Sequence, residues 1–294
     1  MKPAPFVYHA PRTLDEAISV MSEVGHDGKV LAGGQSLIPI LNMRLATPGH
    51  LVDINGVAGL DTVEVRGDSV RVGATVRHAG LERHAGAHAA LPLLRQALEN
   101  VAHPAIRNRG TTVGSIAHAD AAGEMPAVLA LTDGVVEAAG PRGTRDIAAR
   151  EFFLGALETA LAEDEIATAV RFGLFPEGTG TGFRETARRH GDYALAGVAA
   201  AVTVADGAVT GARASFVSVT DVPSVLDLTD LVAGRVVTDV DWSGCADAAH
   251  DHVEPEGDIH ASADYRRMLT GELTRRVLAD ALQQATTTTG GSPA

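Results

Sequence analysis

The chain has 294 residues, 45% of them apolar and 21% charged, with a net charge of −13. That composition supports a substantial core in one large or two modest domains, and the acidic balance, broken only by pairs such as Arg188–Arg189 and Arg266–Arg267, argues against a nucleic-acid or anionic-membrane footprint. The single cysteine, Cys245, excludes an internal disulfide, a Cys-ligated iron–sulfur cluster and a Cys-type zinc site within the chain.

The first residues lack an apolar signal core, and no apolar run is long enough to span a bilayer. A cytoplasmic location without membrane insertion is therefore expected. Thr13-Leu14-Asp15-Glu16 fits a capping box, after which Leu14, Ala17, Ile18, Met21 and Val24 recur at helical spacing up to Gly25. Lys29–Ala32 reads as a buried strand, Leu37–Leu45 as a helix and Leu51–Ile54 as another strand. Valines then alternate with polar residues around Gly67-Asp68, the pattern of a hairpin.

A helix is expected around Leu91–Val101, then a polar loop over 103–124, an apolar stretch and a second hairpin. Phe152-Phe153 and the segment after them read as a helix or turn followed by a strand. The stretch 176–182, rich in Gly, Pro and Thr, is the best domain boundary. Beyond it come two or three antiparallel strands joined at Asp206-Gly207 and a final helix, roughly Ala263–Ala285. That helix is expected to bury Tyr265, Leu269, Leu273, Val277 and Ala281 on one face. The polar C-terminal tail reads as frayed. The pattern is α+β, without the regular alternation of a doubly wound sheet.

Two glycine loops carry the chemistry. Ala32-Gly33-Gly34-Gln35-Ser36 follows a strand and opens a helix, where unpaired N–H groups and the helix dipole favour an anion. Gly110-Thr111-Thr112-Val113-Gly114-Ser115 offers three hydroxyls beside two glycines, with Asp120 placed to accept from a sugar hydroxyl. Together they suggest a dinucleotide laid between them. His118 and Asp120 lack further ligands at metal-site spacing, so hydrogen-bonding roles are the simpler reading and no metal is expected. Arg188–Tyr193 is either a solvated turn capped by Asp192 or an aromatic lid beside a planar ligand. The chain has neither a nucleophile elbow nor a P-loop, so hydrolase and kinase readings have no support.

In this order the segments resemble the FAD-binding medium subunits of molybdenum hydroxylases, with carbon monoxide dehydrogenase medium subunits nearest and the flavin domain of xanthine dehydrogenases more distant. The resemblance rests on Pro11–Ala17, Ala32–Pro39 with Met43-Arg44-Leu45, and Val52–Asn55. It continues through Val72-Gly73-Ala74, Arg109–Glu124, Gly191–Ala194 and Tyr265-Arg266-Arg267, and so covers nearly the whole chain. Two positions depart from the family pattern: Val113 replaces a glycine, and Ala121-Ala122-Gly123 interrupts a usual Asp-Pro-Ala-Ala-Glu.

The resemblance implies a two-subdomain FAD-binding fold of the vanillyl-alcohol-oxidase/PCMH type over 1–175, divided near residue 55. A smaller α+β domain with an antiparallel sheet and helices would occupy 183–286, ahead of a flexible tail at 287–294. The implied FAD contacts are Ala32, Gly33, Gly34, Gln35, Ser36 and Leu37 in the first loop. Thr111, Gly114, Ser115, His118, Asp120 and Tyr193 complete the set. The resemblance names no catalytic acid or base and no metal ligand.

The implied function is an oxidoreductase subunit that takes electrons from a small [2Fe–2S] subunit served by a large molybdopterin subunit. It would pass them from FAD to an external acceptor. Two alternatives stay open at this point: a free-standing FAD-dependent oxidase or dehydrogenase of specialised metabolism, and a flavin-free binding or scaffold protein.

Overall fold

The computed structural model describes residues 1–289. Three layers follow one another along the chain. The first is a parallel sheet of three strands, in the order Val7–His9, His50–Asp53, Gly28–Leu31. Helix Leu14–Val24 connects the first strand to the second through the expected capping box. Glu16 N–H donates to Thr13 Oγ1 (3.2 Å), and the Glu16 carboxylate accepts from the N–H groups of Arg12 (2.7 Å) and Thr13. A cap of this kind contributes about 1 kcal/mol. The helix buries Ala17 and Met21 and stops at Gly25, whose φ of 52° is left-handed.

The second layer is a five-stranded antiparallel sheet, ordered Val63–Val65, Ser69–Gly73, Ile166–Gly173, Val135–Gly140, Gly143–Ala148. Short helices between residues 78 and 131 cover it. Helix Glu124–Leu131 is almost wholly buried, which is why its sequence is apolar on every side. Both expected hairpins are present here, and the expected helix around Leu91–Val101 spans Leu93–Leu98.

The third layer is a four-stranded antiparallel sheet, Thr179–Ala187, Ala194–Ala205, Ala208–Val217, Val225–Asp227, with helices Ser243–His252 and Ala263–Thr289 packed against it. The turn at Asp206-Gly207 has positive φ at both residues (51° and 75°), the twist that a tight two-residue hairpin requires. The first two layers share one apolar core, while a second lies between this sheet and its helices. Ala127 of the buried helix joins Ala194 and Val217 in a small cluster where the two halves meet.

Three expectations change, and one stretch gains a strand that the sequence did not show. The polar loop over 103–124 contains helices Pro104–Arg107 and Thr112–His118, because Val113 and Ile116 find buried positions that the surrounding polarity conceals. The stretch 176–182 is strand from Thr179 onward. A side chain at Gly180 would strike the backbone of the final helix at Ala281 and Ala285, so the glycine serves close packing there. On the final helix Tyr265 is 43% exposed, and the buried stripe runs instead through Arg266, Thr270, Leu273, Thr274, Val277 and Ala281. That helix continues to Thr289, so the tail expected from residue 287 starts out helical; residues 290–294 lie outside the described residues.

Candidate functional site

The first glycine loop leaves the strand Gly28–Leu31 and turns into helix Leu37–Met43. Gly34 has φ +71°, a conformation that costs a side-chain-bearing residue energy. Gly33 is required for a different reason: a Cβ there would lie 2.7 Å from Arg109 O and 2.9 Å from Thr111 N. The two loops that sequence paired therefore cross in contact, and Gly33 is the point of crossing.

Among the described residues, the N–H groups of Gly34, Gln35, Ser36 and Leu37 have no hydrogen-bond partner. Ser36 occupies the N-cap position without capping, so its hydroxyl remains free. The Gln35 side chain folds back to donate to Gly33 O (2.9 Å). Consecutive unpaired donors at a helix start form an anion-binding concavity.

The second loop works differently. Thr111 caps helix Thr112–His118, its Oγ1 accepting from Gly114 N–H (3.1 Å), so that N–H is spent on the cap while the hydroxyl keeps its proton to donate. Thr112 is buried, with Oγ1 3.2 Å from His78 Nδ1. Burial, with the nearby Arg107 charge, lowers the His78 pKa to about 4, so the imidazole is neutral at pH 7. Val113 needs no positive φ: it lies inside the helix and is 2% exposed, which reconciles it with the place of a family glycine. Among the described residues, no hydrogen bond holds the Ser115 hydroxyl or the His118 ring.

The nominated residues divide between two cavities. Ala32, Gly33, Gly34 and Gln35 line the first, of about 580 Å³, together with Asp53, Asn55, Ile106 and Arg109. Asp120 and Tyr193 line the second, of about 730 Å³, with Gly191, Ser218, Asp221 and Arg266. Thr111, Gly114, Ser115 and His118 line neither, and Ser36 and Leu37 sit at the helix start beside the first.

Sequence reasoning missed Arg109. Among the described residues its guanidinium makes no hydrogen bond or ion pair, yet it borders the cavity that Gly34 and Gln35 line. The signal was available in the Arg-Gly step that opens the second loop. Also missed were the acids beside the second cavity. Glu124, at the start of the buried helix, has its pKa raised to about 7 by burial and then by Asp120. Glu185, on the strand Thr179–Ala187 of the other half, is raised to about 8 by burial and then by Glu124, and its Oε2 is buried without a partner. Nothing local in sequence marks this pair, since residues 61 apart meet only through the packing of two layers.

The first cavity fits the pyrophosphate of FAD by its donor set: a row of free N–H groups, a free hydroxyl and an uncompensated guanidinium, at a crossing that tolerates no side chain. The second fits a neutral, hydroxyl- and imide-bearing portion by its carboxylates and its aromatic wall.

Comparison with known proteins gives two family matches. Residues 4–174 match the FAD binding domain in molybdopterin dehydrogenase, and residues 181–281 match the CO dehydrogenase flavoprotein C-terminal domain. The chain is 40% identical to the nicotine 6-hydroxylase medium subunit of Paenarthrobacter nicotinovorans over 93% of its own length and 96% of the relative's. It is similar to the structure of carbon monoxide dehydrogenase from Hydrogenophaga pseudoflava which lacks the Mo-pyranopterin moiety of the molybdenum cofactor. That likeness has a TM-score of 0.91 and 34% identity, over 97% of this chain and 99% of that one. Quinoline 2-oxidoreductase from Pseudomonas putida 86 matches with the same TM-score of 0.91 and 36% identity, again over 97% and 99%.

Proposed function

The chain belongs to the family of FAD-binding medium subunits of molybdenum hydroxylases, and we propose that it is the electron-exit subunit of such an enzyme, working with a large molybdopterin subunit and a small [2Fe–2S] subunit in the cytoplasm. Bound FAD supplies the step between one-electron transfer from iron–sulfur clusters and delivery of electron pairs to an external acceptor. The protein supplies position and electrostatics. In this reading the N–H row of Gly34–Leu37, the Ser36 hydroxyl and Arg109 hold the pyrophosphate. Asp120 accepts from hydroxyls further along the ligand, and Tyr193 flanks the ring. The second loop contributes mainly by fixing the first, with Ser115 and His118 at its far side.

The observation that carries this reading is the unpaired N–H row facing a cavity beside a free guanidinium, in a chain matched along both halves by the flavin-subunit models. Cys245 supports the division of labour. It is the only cysteine, it is fully buried, and burial pushes its thiol up to about 11, so cluster ligation has to come from another chain. Among the described residues no helix is long and apolar enough to cross a membrane.

Purification from the native host tests the proposal. Comigration of stoichiometric FAD and this chain with molybdenum- and iron-containing subunits is the expected result. A lone flavoprotein turning over an organic substrate unaided would replace this reading with the free-standing enzyme.

A further inference from the structure

We infer that Arg77 and Asn55 form a latch that holds the two glycine loops together in the arrangement a pyrophosphate requires, and so act as positioning residues for FAD. Arg77 precedes the helix His78–Glu82 and reaches the second loop directly and the first through Asn55. Its NH1 donates to Arg109 O of the second loop (2.5 Å), and its NH2 donates to Asn55 Oδ1 (2.7 Å). The Asn55 amide then donates to Ala32 O of the first loop (2.8 Å) and to Asp53 Oδ1 (2.6 Å). Asp53 is fixed in turn, by Asn55 N–H on Oδ1 (2.9 Å) and by the Tyr8 hydroxyl on Oδ2 (2.5 Å). The backbone joins in: Arg77 forms a bridge with Thr111, and His78 N–H donates to Gly110 O (2.9 Å).

The carbonyls of Ala32, Arg109 and Gly110 are thus all drawn toward one side. In a trans peptide the C=O and N–H of a unit point in opposite directions. Pinning Ala32 O on Asn55 therefore turns the Gly33 N–H away from the latch, in a loop that lines the first cavity, and that N–H has no partner. Two fixed N–H vectors on one planar group are what an arginine offers and a lysine lacks. The Asp53 carboxylate beside Arg77 offsets its charge, so the uncompensated cation at the cavity is Arg109 and the role of Arg77 is geometric.

This rests on the FAD reading, and the test separates the two. Apo chain is titrated with FAD and, separately, with riboflavin, which lacks the pyrophosphate; flavin fluorescence gives both affinities and differential scanning gives the apo melting temperature. Arg77→Lys and Asn55→Ala are each expected to weaken FAD by about tenfold, the effect of losing a hydrogen bond to a charged group. Riboflavin affinity is expected to change less than about twofold and the apo melting temperature by less than about 2 °C. FAD affinity retained in Arg77→Lys overturns the latch, since charge alone would then suffice. Parallel losses for FAD and riboflavin, or a fall in apo stability that tracks the loss, also overturn it by making the residues merely structural. A wild-type chain that binds riboflavin no worse than FAD overturns the pyrophosphate reading itself, and the latch with it.

Discussion

The two cavities differ in the sign of the charge they present. The cavity at the loop crossing carries one free guanidinium, Arg109, while its only carboxylate, Asp53, is held by Tyr8 and Asn55. The cavity between the two halves carries Asp120, Asp192, Asp221, Glu254, Glu256 and Asp258 against Arg188 and Arg266, the latter paired with Asp258 at 2.8 Å. An elongated ligand such as FAD, whose two charges sit together on its central pyrophosphate, has one of these two cavities in which to put that group. With the pyrophosphate placed as proposed, the difference means that field as well as shape would orient FAD, in a chain whose overall charge of −13 would otherwise repel it.

The largest expected effect comes from closing the crossing. Gly33→Val places a side chain against Arg109 O and the Thr111 N–H, both backbone, so neither can swing aside. Purified protein should contain no flavin, read as the ratio of flavin to protein absorbance. A variant that keeps stoichiometric FAD would show that the loops do not meet as described.

Next, Arg109→Glu should give the first cavity the sign of the second. FAD affinity should fall by about a hundredfold at low salt and by less at physiological ionic strength, where screening acts over about 8 Å. Arg109→Ala should cost about tenfold, within the usual range for a hydrogen bond to a charged group. An affinity indifferent to both changes would assign the pyrophosphate elsewhere.

At the second cavity the effect concerns stability. Glu185 titrates at about 8 in the folded protein against an ordinary 4.5, so the folded state binds more protons than the unfolded across that window. Stability is fully present below about pH 4.5 and declines as pH rises through about 8. Glu185→Gln removes the titration: it should raise the melting temperature of the apo chain by about 2–4 °C at pH 8.5 and leave it nearly unchanged at pH 5. Equal shifts at both pH values would show that the acid is not buried unpaired.

The smallest effect belongs to Tyr193, which stands 69% exposed on the rim, its pKa raised by partial desolvation and then by Asp120 and Glu124. Tyr193→Phe should leave FAD content intact and shift only the flavin absorption envelope and fluorescence yield. Loss of flavin would move Tyr193 from the rim into the binding set.

Much of this was legible in sequence because the features are local. The capping box at Thr13–Glu16, the alternation around Gly67-Asp68, the turn at Asp206-Gly207 and the first glycine loop each depend on residues within one or two turns of chain. The second loop was only half legible. Its glycines and hydroxyls were visible, but its helix depends on burying Val113 and Ile116 against elements far along the chain.

The sequence by itself determined the main strands and longer helices, the α+β class, the family and the two glycine loops, since all of these are carried by short-range spacing and by the motifs in their order. Only the tertiary structure decided that the loops cross at Gly33, that Arg77 and Asn55 tie them together, that Arg109 is left free, and that Glu124 and Glu185 share a buried place. These are relations between side chains and carbonyls distant in sequence. They exist once packing has removed water and fixed the distances, and no periodicity along the chain encodes them.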